Sequence, residues 1–260
     1  MKSSVSRLKL YKACRRAYYF KYIQELVPVE MTEALQTGKS YHALLEELYA
    51  TGEVPEGYSK EHAMVRAYSN IIYPKFRMQN VEEWLEKEAG SHIMIGRIDG
   101  YSEDKCIVEH KSTSAEITEA YEYDLQWDEQ ILAYMYLTGS RKVYYTVCRK
   151  PTIRQKKDET EEEFFYRMLD WYEDNTDSKI RLLEVYRTDE EVEEFAKEFV
   201  RVCDSMQNAE AGLEPLYRNT LYCNKWGRRC EYASVCLHYN PLQEYVEFKK
   251  REAHYGSEKN

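Results

Sequence analysis

The segment SHIMIGRIDGYSEDKCIVEHKST, residues 91–113, decides the fold class of this chain of 260 residues. Two short runs rich in β-forming residues, 91–100 and 105–113, flank a turn-like segment at 101–104. This pattern predicts a β-hairpin, although the Asn-Gly turn that is typical of tight hairpins is missing.

Asp99, Glu109 and Lys111 are the most informative residues of this hairpin. Alternate side chains of a strand share a face, so Glu109 and Lys111 point the same way, and the turn brings Asp99 alongside Glu109. Two carboxylates beside a lysine suit a divalent cation such as Mg²⁺ or Mn²⁺, which prefers oxygen ligands. The alternative is a cross-strand ion pair on a solvated sheet face.

Two further pairs of polar residues lie one helical turn apart. His42 and Glu46 share one face of a predicted helix, and Gln130 and Tyr134 share a face of the helix that follows the hairpin. These residues extend the candidate site. The alternatives are a capping or surface histidine, and a core tyrosine beside an exposed glutamine.

The hydrophobic spacing predicts a first helix over residues 4–23, with Ser4 or Ser6 as its N-cap. Further helices are predicted over 36–49, 60–87, 122–138, 161–174 and 189–208, and further strands over 143–148 and 180–187. This order predicts an α/β protein with a central mixed β-sheet flanked by helices, an N-terminal helical part and a C-terminal cysteine-bearing lobe.

Cysteines near both ends of the chain predict a second site. Cys223, Cys230 and Cys236 lie in a loop-like stretch, and Cys14 would complete a set of four if the first helix folds against the C-terminal region. Four thiolates accept either zinc or an iron–sulfur cluster, and the spacing alone leaves both open.

The composition excludes several classes of protein. A mean hydropathy of −0.75 and the lack of any run near roughly 20 apolar residues exclude a multi-span membrane protein. The start of the sequence has no apolar run of the signal-peptide type, so we expect a cytoplasmic protein with no membrane partner. In that compartment the seven cysteines are expected as thiols or metal ligands rather than disulfides.

Taken together, these motifs resemble the PD-(D/E)XK nuclease superfamily. Within it the chain is similar to the RecB-like branch that carries an iron–sulfur cluster, which includes AddB-type, CRISPR-adaptation and phage-encoded nucleases. The motifs, in order over residues 4–237, are Ser6-Arg7-Leu8 with Tyr11 and Cys14, Gly38-x3-His42, Gly96-Arg97-Ile98-Asp99-Gly100, Glu109-His110-Lys111, Gln130-x3-Tyr134 and the three terminal cysteines.

The chain departs from the family pattern at two points. Ile98 replaces the proline that gives the superfamily its name. The gap between Cys223 and Cys230 is longer than in the recombination and CRISPR relatives, and is more similar to that of the phage-type members.

The resemblance assigns roles to the candidate residues. It implies that Asp99 and Glu109 bind Mg²⁺ or Mn²⁺ together with the backbone carbonyl of His110, and that His42 is a further ligand. Lys111 would position the attacking water. Gln130 and Tyr134 would organise the site or contact the DNA backbone.

The resemblance also implies a [4Fe-4S] cluster on Cys14, Cys223, Cys230 and Cys236. Residues 1–260 would then form a single nuclease domain, in which 1–23 and 213–240 make an iron–sulfur lobe.

The implied function is metal-dependent hydrolysis of DNA, as an exonuclease on single-stranded or frayed substrate in recombination, replication or repair, in a bacterial or phage-infected cell. The alternatives are a catalytically silent nucleic-acid-binding or assembly module and a zinc-stabilised protein. No P-loop motif is present, so unwinding would need a helicase or recombination partner.

The net charge of −9 argues at first against a nucleic-acid substrate, but the charges are segregated along the sequence. Basic residues cluster in the first helix, including Arg15 and Arg16, and at the segment that begins with Arg149 and Lys150. We expect these four residues to follow the DNA backbone on an otherwise acidic protein.

Overall fold

The structure is a computed structural model that describes residues 1–76, 78–225, 227–237 and 247–251. Position 226 and the last three positions of the predicted 213–240 lobe lie outside these described residues. The helices are α1 (Val5–Ala13), α2 (Arg15–Tyr18), α3 (Glu33–Thr51), α4 (Lys60–Ile71), α5 (Glu119–Asp124), α6 (Glu129–Thr138), α7 (Glu161–Glu173), α8 (Asp189–Glu210) and α9 (Ala233–Leu237). The strands are β1 (Lys2–Ser4), β2 (Leu26–Pro28), β3 (Met78–Ala89), β4 (His92–Ser102), β5 (Ile107–Thr113), β6 (Lys142–Arg149), β7 (Ile180–Tyr186), β8 (Asn224–Lys225), β9 (Arg228–Arg229) and β10 (Phe248–Lys250).

The chain divides into two compact units. We call residues 32–85 and 97–192 the sheet unit, and residues 1–31, 86–96 and the described part of 193–260 the cysteine unit. Among the described helices, none combines the length and the apolar character that a membrane crossing requires.

The sheet unit is built on a mixed β-sheet. β4 pairs antiparallel with β5, β5 pairs parallel with β6, and β6 pairs antiparallel with β7. One core cluster packs β-strand residues such as Ile107 and Val143 against Ile131 and Met135 of α6. A second cluster joins α3 and α4 through side chains such as Leu48. The predicted α/β class, with a mixed sheet flanked by helices, is therefore confirmed.

The cysteine unit has a smaller core. β1 pairs parallel with the first half of β4, β2 pairs with β10, and β8 pairs with β9. Aromatic side chains fill the space around Cys14. The ring of Phe20 stacks on that of Tyr232, which in turn stacks on that of Phe248.

The predicted helix over 60–87 is wrong in its second half. Helix α4 ends at Ile71, and Met78–Ala89 form strand β3, which pairs with β4. The two strands are joined by a two-residue turn at Gly90 and Ser91. The φ angle at Gly90 is 58°, a conformation that favours glycine at this position. Pairing with a neighbouring strand overrides the helix propensity of the glutamate- and lysine-rich segment.

Two other predicted helices are interrupted. The helix predicted over 4–23 breaks at Cys14, which has extended backbone (φ −161°, ψ 109°). It resumes as α2 and continues as a π-helix over Tyr19–Ile23, so the predicted end is confirmed. The Asn219 side chain donates to the Ala13 carbonyl at 2.7 Å and satisfies the freed acceptor. Ser4, rather than Ser6, is the N-cap. The helix predicted over 122–138 divides because Asp128 has extended backbone and caps α6.

Candidate active site

Strands β4 and β5 bring Asp99 opposite Glu109. The observed register pairs Gly100 with Val108, and one further step along both strands places the two acidic residues across from each other. The Asp99 carboxylate accepts a hydrogen bond from the backbone N–H of His110 at 2.7 Å. The Asp99 side chain thus satisfies a backbone N–H of β5 at the point where the observed pairing between β4 and β5 ends.

Glu109 is a buried carboxylate with one satisfied oxygen and one unsatisfied oxygen. The residue is 2% exposed, and its Oε1 forms an ion pair with the Lys111 ammonium. Its Oε2 is buried and has no hydrogen-bond partner. Because a buried anionic oxygen without a partner is costly, this atom is a natural position for a cation.

A chain of hydrogen bonds runs from Lys111 to the neighbouring helix. Lys111 Nζ donates to Gln130 Oε1 at 3.0 Å, Gln130 Nε2 donates to Tyr134 Oη at 2.6 Å, and Tyr134 donates to the backbone carbonyl of Arg97 at 2.5 Å. The N-cap Asp128 fixes the start of α6 by accepting from the Gln130 N–H at 3.0 Å. This cap places Gln130 and Tyr134, one turn apart, towards the site.

Helix α3 supplies His42 from the opposite side of the site. Its Nδ1 lies 3.5 Å from Asp99 Oδ1. Gly38, one turn earlier, faces β5, because a Cβ added there would lie 3.5 Å from Ser112 Oγ. The close approach of α3 to β5 therefore holds the imidazole beside the carboxylate.

The His110 side chain lies in a buried polar and aromatic pocket. Its Nδ1 is 2.6 Å from Thr146 Oγ1, and its ring stacks on Tyr49 at 5.9 Å and meets the edge of Tyr68 at 5.5 Å. Burial lowers the pKa of His110 to about 4, so the ring is neutral at physiological pH. Its Nε2 is buried without a hydrogen-bond partner, and its ring centre is 6.3 Å from that of His42.

The two carboxylates have opposite pKa shifts. Burial alone would raise the pKa of Asp99, but the hydrogen bond from His42, the charge on that imidazole and the hydrogen bond from the His110 backbone lower it to about 2. Burial raises the pKa of Glu109 to about 7, because it outweighs the Lys111 ammonium. Burial would lower the pKa values of His42 and Lys111, but the adjacent carboxylates raise both.

These donors fit a hard divalent cation that keeps part of its hydration shell. Within the described residues, no group of three His, Cys, Asp or Glu side chains is arranged to hold a metal ion, so the protein would supply at most two such ligands in this arrangement. Mg²⁺ is characteristically held by one or two carboxylates, with waters and substrate phosphate completing the shell. Asp99 and the unsatisfied Glu109 oxygen provide such a pair.

Sequence reasoning missed Glu82 because that residue lay in the predicted helix over 60–87. In the structure Glu82 lines a small cavity together with His42, Glu46 and Asp99. Its carboxylate forms an ion pair with the Arg97 guanidinium. If the segment had been predicted as a strand, its alternate side chains would have been placed on one face. That alternation is the signal that could have identified Glu82.

The four cysteines border one cavity in the cysteine unit, with a volume of about 260 Å³. The backbone N–H of Asn219 donates to Cys14 Sγ at 3.4 Å, and Arg218 Nε donates to Cys236 Sγ at 3.2 Å. Hydrogen bonds to sulfur are typical of thiolates that hold a cluster. Among the described residues, however, no group of three His, Cys, Asp or Glu side chains is placed to hold a metal ion, and this includes the four cysteines.

The four predicted DNA-contacting residues make intramolecular contacts. Arg15 pairs with Glu214 at 2.7 Å, and the Arg16 guanidinium lies 5.0 Å from the Tyr19 ring centre. The Arg149 guanidinium is 5.7 Å from the Trp171 ring centre, and Lys150 donates to the Ala34 carbonyl at 2.7 Å. Their role in DNA binding stays a prediction.

A model of the PD-(D/E)XK nuclease superfamily matches residues 2–97 and 85–237 of the chain. A crystal structure of a candidate exonuclease from Eubacterium rectale aligns with a TM-score of 0.54 at 15% identity, covering 94% of this chain and 90% of that one. A phage-related exonuclease from Haemophilus somnus 129PT aligns with a TM-score of 0.39 at 16% identity, covering 76% and 95%. An alkaline exonuclease from Laribacter hongkongensis gives 0.35 at 14% identity, covering 82% and 95%.

The two lower scores are not evidence of a shared fold, so the structural likeness rests on the E. rectale protein. That likeness supports the restriction-endonuclease-like core. A search of curated proteins finds no match.

Proposed function

Because the chain belongs to the PD-(D/E)XK nuclease superfamily, we propose that it is a Mg²⁺- or Mn²⁺-dependent nuclease that hydrolyses phosphodiester bonds of DNA. We further propose that it acts as an exonuclease on single-stranded or frayed ends. The observation that carries this proposal is the buried Glu109 oxygen without a partner, opposite Asp99 and beside Lys111.

Asp99 and Glu109 would hold the cation, with the His110 backbone carbonyl and His42 as further ligands. When bound, the cation would neutralise charge on the phosphate and make a water more acidic. The raised pKa of His42 means that the imidazole must release a proton before it can act as a ligand.

Lys111 would orient the attacking water. Two of its three N–H donors are directed at Glu109 and Gln130, which leaves one for a water or a phosphate oxygen. Its raised pKa keeps the ammonium charged, so it can stabilise the negative charge that develops on the phosphate. Gln130 and Tyr134 would act through Lys111 by fixing its direction.

A cleavage assay with single-residue variants tests this function. Purified protein is incubated with end-labelled single-stranded and double-stranded DNA in Mg²⁺ or Mn²⁺, and the products are resolved by length. We expect Lys111→Ala to lower the rate by at least about a hundredfold, as the loss of a transition-state donor does elsewhere. Asp99→Asn removes a proposed metal-binding carboxylate, and it should show no cleavage above background. The matched surface variants Asp158→Asn and Lys197→Ala should cleave like the wild type.

The same assay addresses the alternative of a catalytically silent module. Such a protein would bind the labelled DNA and release no nucleotides in either metal. Cleavage at the wild-type rate by Asp99→Asn or Lys111→Ala would show that the activity lies elsewhere.

We also propose that the four cysteines hold a [4Fe-4S] cluster, with zinc as the alternative. All four border one cavity of about 260 Å³, which is more room than a single ion needs, since zinc–sulfur bonds are only about 2.3 Å long. The hydrogen bonds to Cys14 and Cys236 support thiolates at these positions.

Anaerobic purification followed by iron, sulfide and zinc analysis tests the cluster. Wild-type protein should be brown and contain iron with acid-labile sulfide, and Cys14→Ser should lose both. Cys106→Ser is the matched control, because Cys106 is a free cysteine outside the cavity. A colourless protein with stoichiometric zinc would contradict the cluster and support the alternative.

A further inference from the structure

Arg97 presents a partly exposed guanidinium at the edge of the candidate active site. Arg97 and Asp99 are two residues apart on β4, so their side chains lie on the same face of the strand. The guanidinium pairs with Glu82 and lies 3.9 Å from Glu46. Both glutamates line the small cavity that His42 and Asp99 also border.

The backbone at Arg97 is fixed to the catalytic hydrogen-bond chain. Tyr134 donates to the Arg97 carbonyl at 2.5 Å, and the same hydroxyl accepts from Gln130, which in turn accepts from Lys111. A shift of Arg97 would therefore disturb the direction of Lys111. This hydrogen bond fixes the backbone of Arg97, and the ion pair with Glu82 holds its guanidinium at the edge of the site.

Glu82 keeps an unusual backbone conformation while it holds the guanidinium. Its φ is 51°, in the left-handed region that disfavours residues other than glycine. Such conformations persist where surrounding contacts impose them, and they concentrate at functional sites. Here the strained residue carries the carboxylate that pairs with Arg97.

We propose that Arg97 is a catalytic residue that binds a non-bridging oxygen of the scissile phosphate, an inference that rests on the proposed nuclease function. A phosphodiester that enters this site meets the carboxylates of Asp99 and Glu109, and Lys111 has only one donor left beside those bound to Glu109 and Gln130. The Arg97 side chain is 45% exposed, so a phosphate can replace a glutamate as its partner. The planar fork of arginine matches the geometry of phosphate oxygens.

Cleavage of a stereospecific phosphorothioate tests this contact. An oligodeoxynucleotide carries sulfur in place of one non-bridging oxygen at the scissile position, as separate Rp and Sp diastereomers. In the wild type, we expect one diastereomer to be cleaved slowly in both Mg²⁺ and Mn²⁺, because sulfur weakens the hydrogen bond from Arg97. Slow cleavage that Mn²⁺ restores would instead report direct contact of that oxygen with the metal.

Arg97→Ala should cleave unmodified DNA about 10²- to 10³-fold more slowly, as expected for the loss of one preorganised charge-stabilising donor. In this variant, the diastereomer whose cleavage Mn²⁺ does not restore should be cleaved no more slowly than unmodified DNA. Arg97→Lys keeps the charge and should restore part of the rate, which gives a second variant if Arg97→Ala does not fold. Arg181→Ala, which removes another arginine–glutamate pair, is the control and should keep both the rate and the sulfur effect.

A sulfur effect that is fully retained in Arg97→Ala would overturn this inference and leave the nuclease proposal intact. Cleavage of unmodified DNA by Arg97→Ala within about twofold of wild type would do the same, because one lost donor is expected to cost far more. A wild-type protein that cleaves no DNA would instead overturn the proposed function itself.

Discussion

The pH dependence of metal binding follows from the buried state of Glu109. Its pKa is raised to about 7 by burial, and a carboxylate must be ionised to bind a cation. The ionised fraction is therefore about 0.9 near pH 8 and about 0.1 near pH 6, so the apparent Kd for Mn²⁺ should rise about tenfold over this range, or about 1.4 kcal/mol. His42, whose pKa is also raised, adds to the change in the same direction, because it must also lose a proton to bind.

Isothermal titration calorimetry in two buffers of different ionisation enthalpy measures both the affinity and the protons released. We expect proton release near pH 7 and a lower affinity as the pH falls. Glu109→Gln should bind weakly and lose most of this dependence, and the surface variant Asp158→Asn should retain it. An apparent Kd that changes less than about twofold between pH 8 and pH 6 would refute the assignment of Glu109 as a metal ligand with a raised pKa.

Three predictions concern the scaffold, each measured by urea or thermal unfolding. Thr146→Val leaves the buried His110 Nδ1 without its 2.6 Å partner, and should lower the free energy of unfolding by about 1–3 kcal/mol; Thr146→Ser should recover most of it. Leu48→Ala removes a fully buried side chain and should cost about 2–5 kcal/mol, so a loss below about 1 kcal/mol would contradict the packing described for α3. Glu163→Ala breaks the capping box of α7 and should lower the unfolding midpoint, and an unchanged midpoint would argue against that cap.

The hairpin could be predicted because its signal is local. Alternation along β5 correctly places Glu109 and Lys111 on one face, and the short turn returns β5 alongside β4. The family motifs then point to His42, Gln130 and Tyr134. In the structure His42 lies beside Asp99, and Gln130 and Tyr134 are linked to Glu109 by hydrogen bonds through Lys111. Once the register of β4 against β5 is known, the hydrogen bonds between these neighbouring strands can be inferred.

Strand β3 could not be predicted because its stability comes from a partner. The segment that contains Glu82 is rich in residues with good helix propensity, and only pairing with β4 makes it extended. The break at Cys14 has a similar origin, since the side chain of Asn219, far along the sequence, satisfies the carbonyl of Ala13. Non-local contacts of this kind leave no periodic signal in either segment.

Metal-dependent release of nucleotides from end-labelled single-stranded DNA tests the central claim most directly. Wild-type protein should release nucleotides progressively from an end in Mg²⁺ or Mn²⁺ and stop when the metal is chelated. Asp99→Asn should release none above background while still unfolding in a cooperative transition, which shows that it is folded. Intact labelled DNA after incubation with folded wild-type protein and either metal would contradict the account.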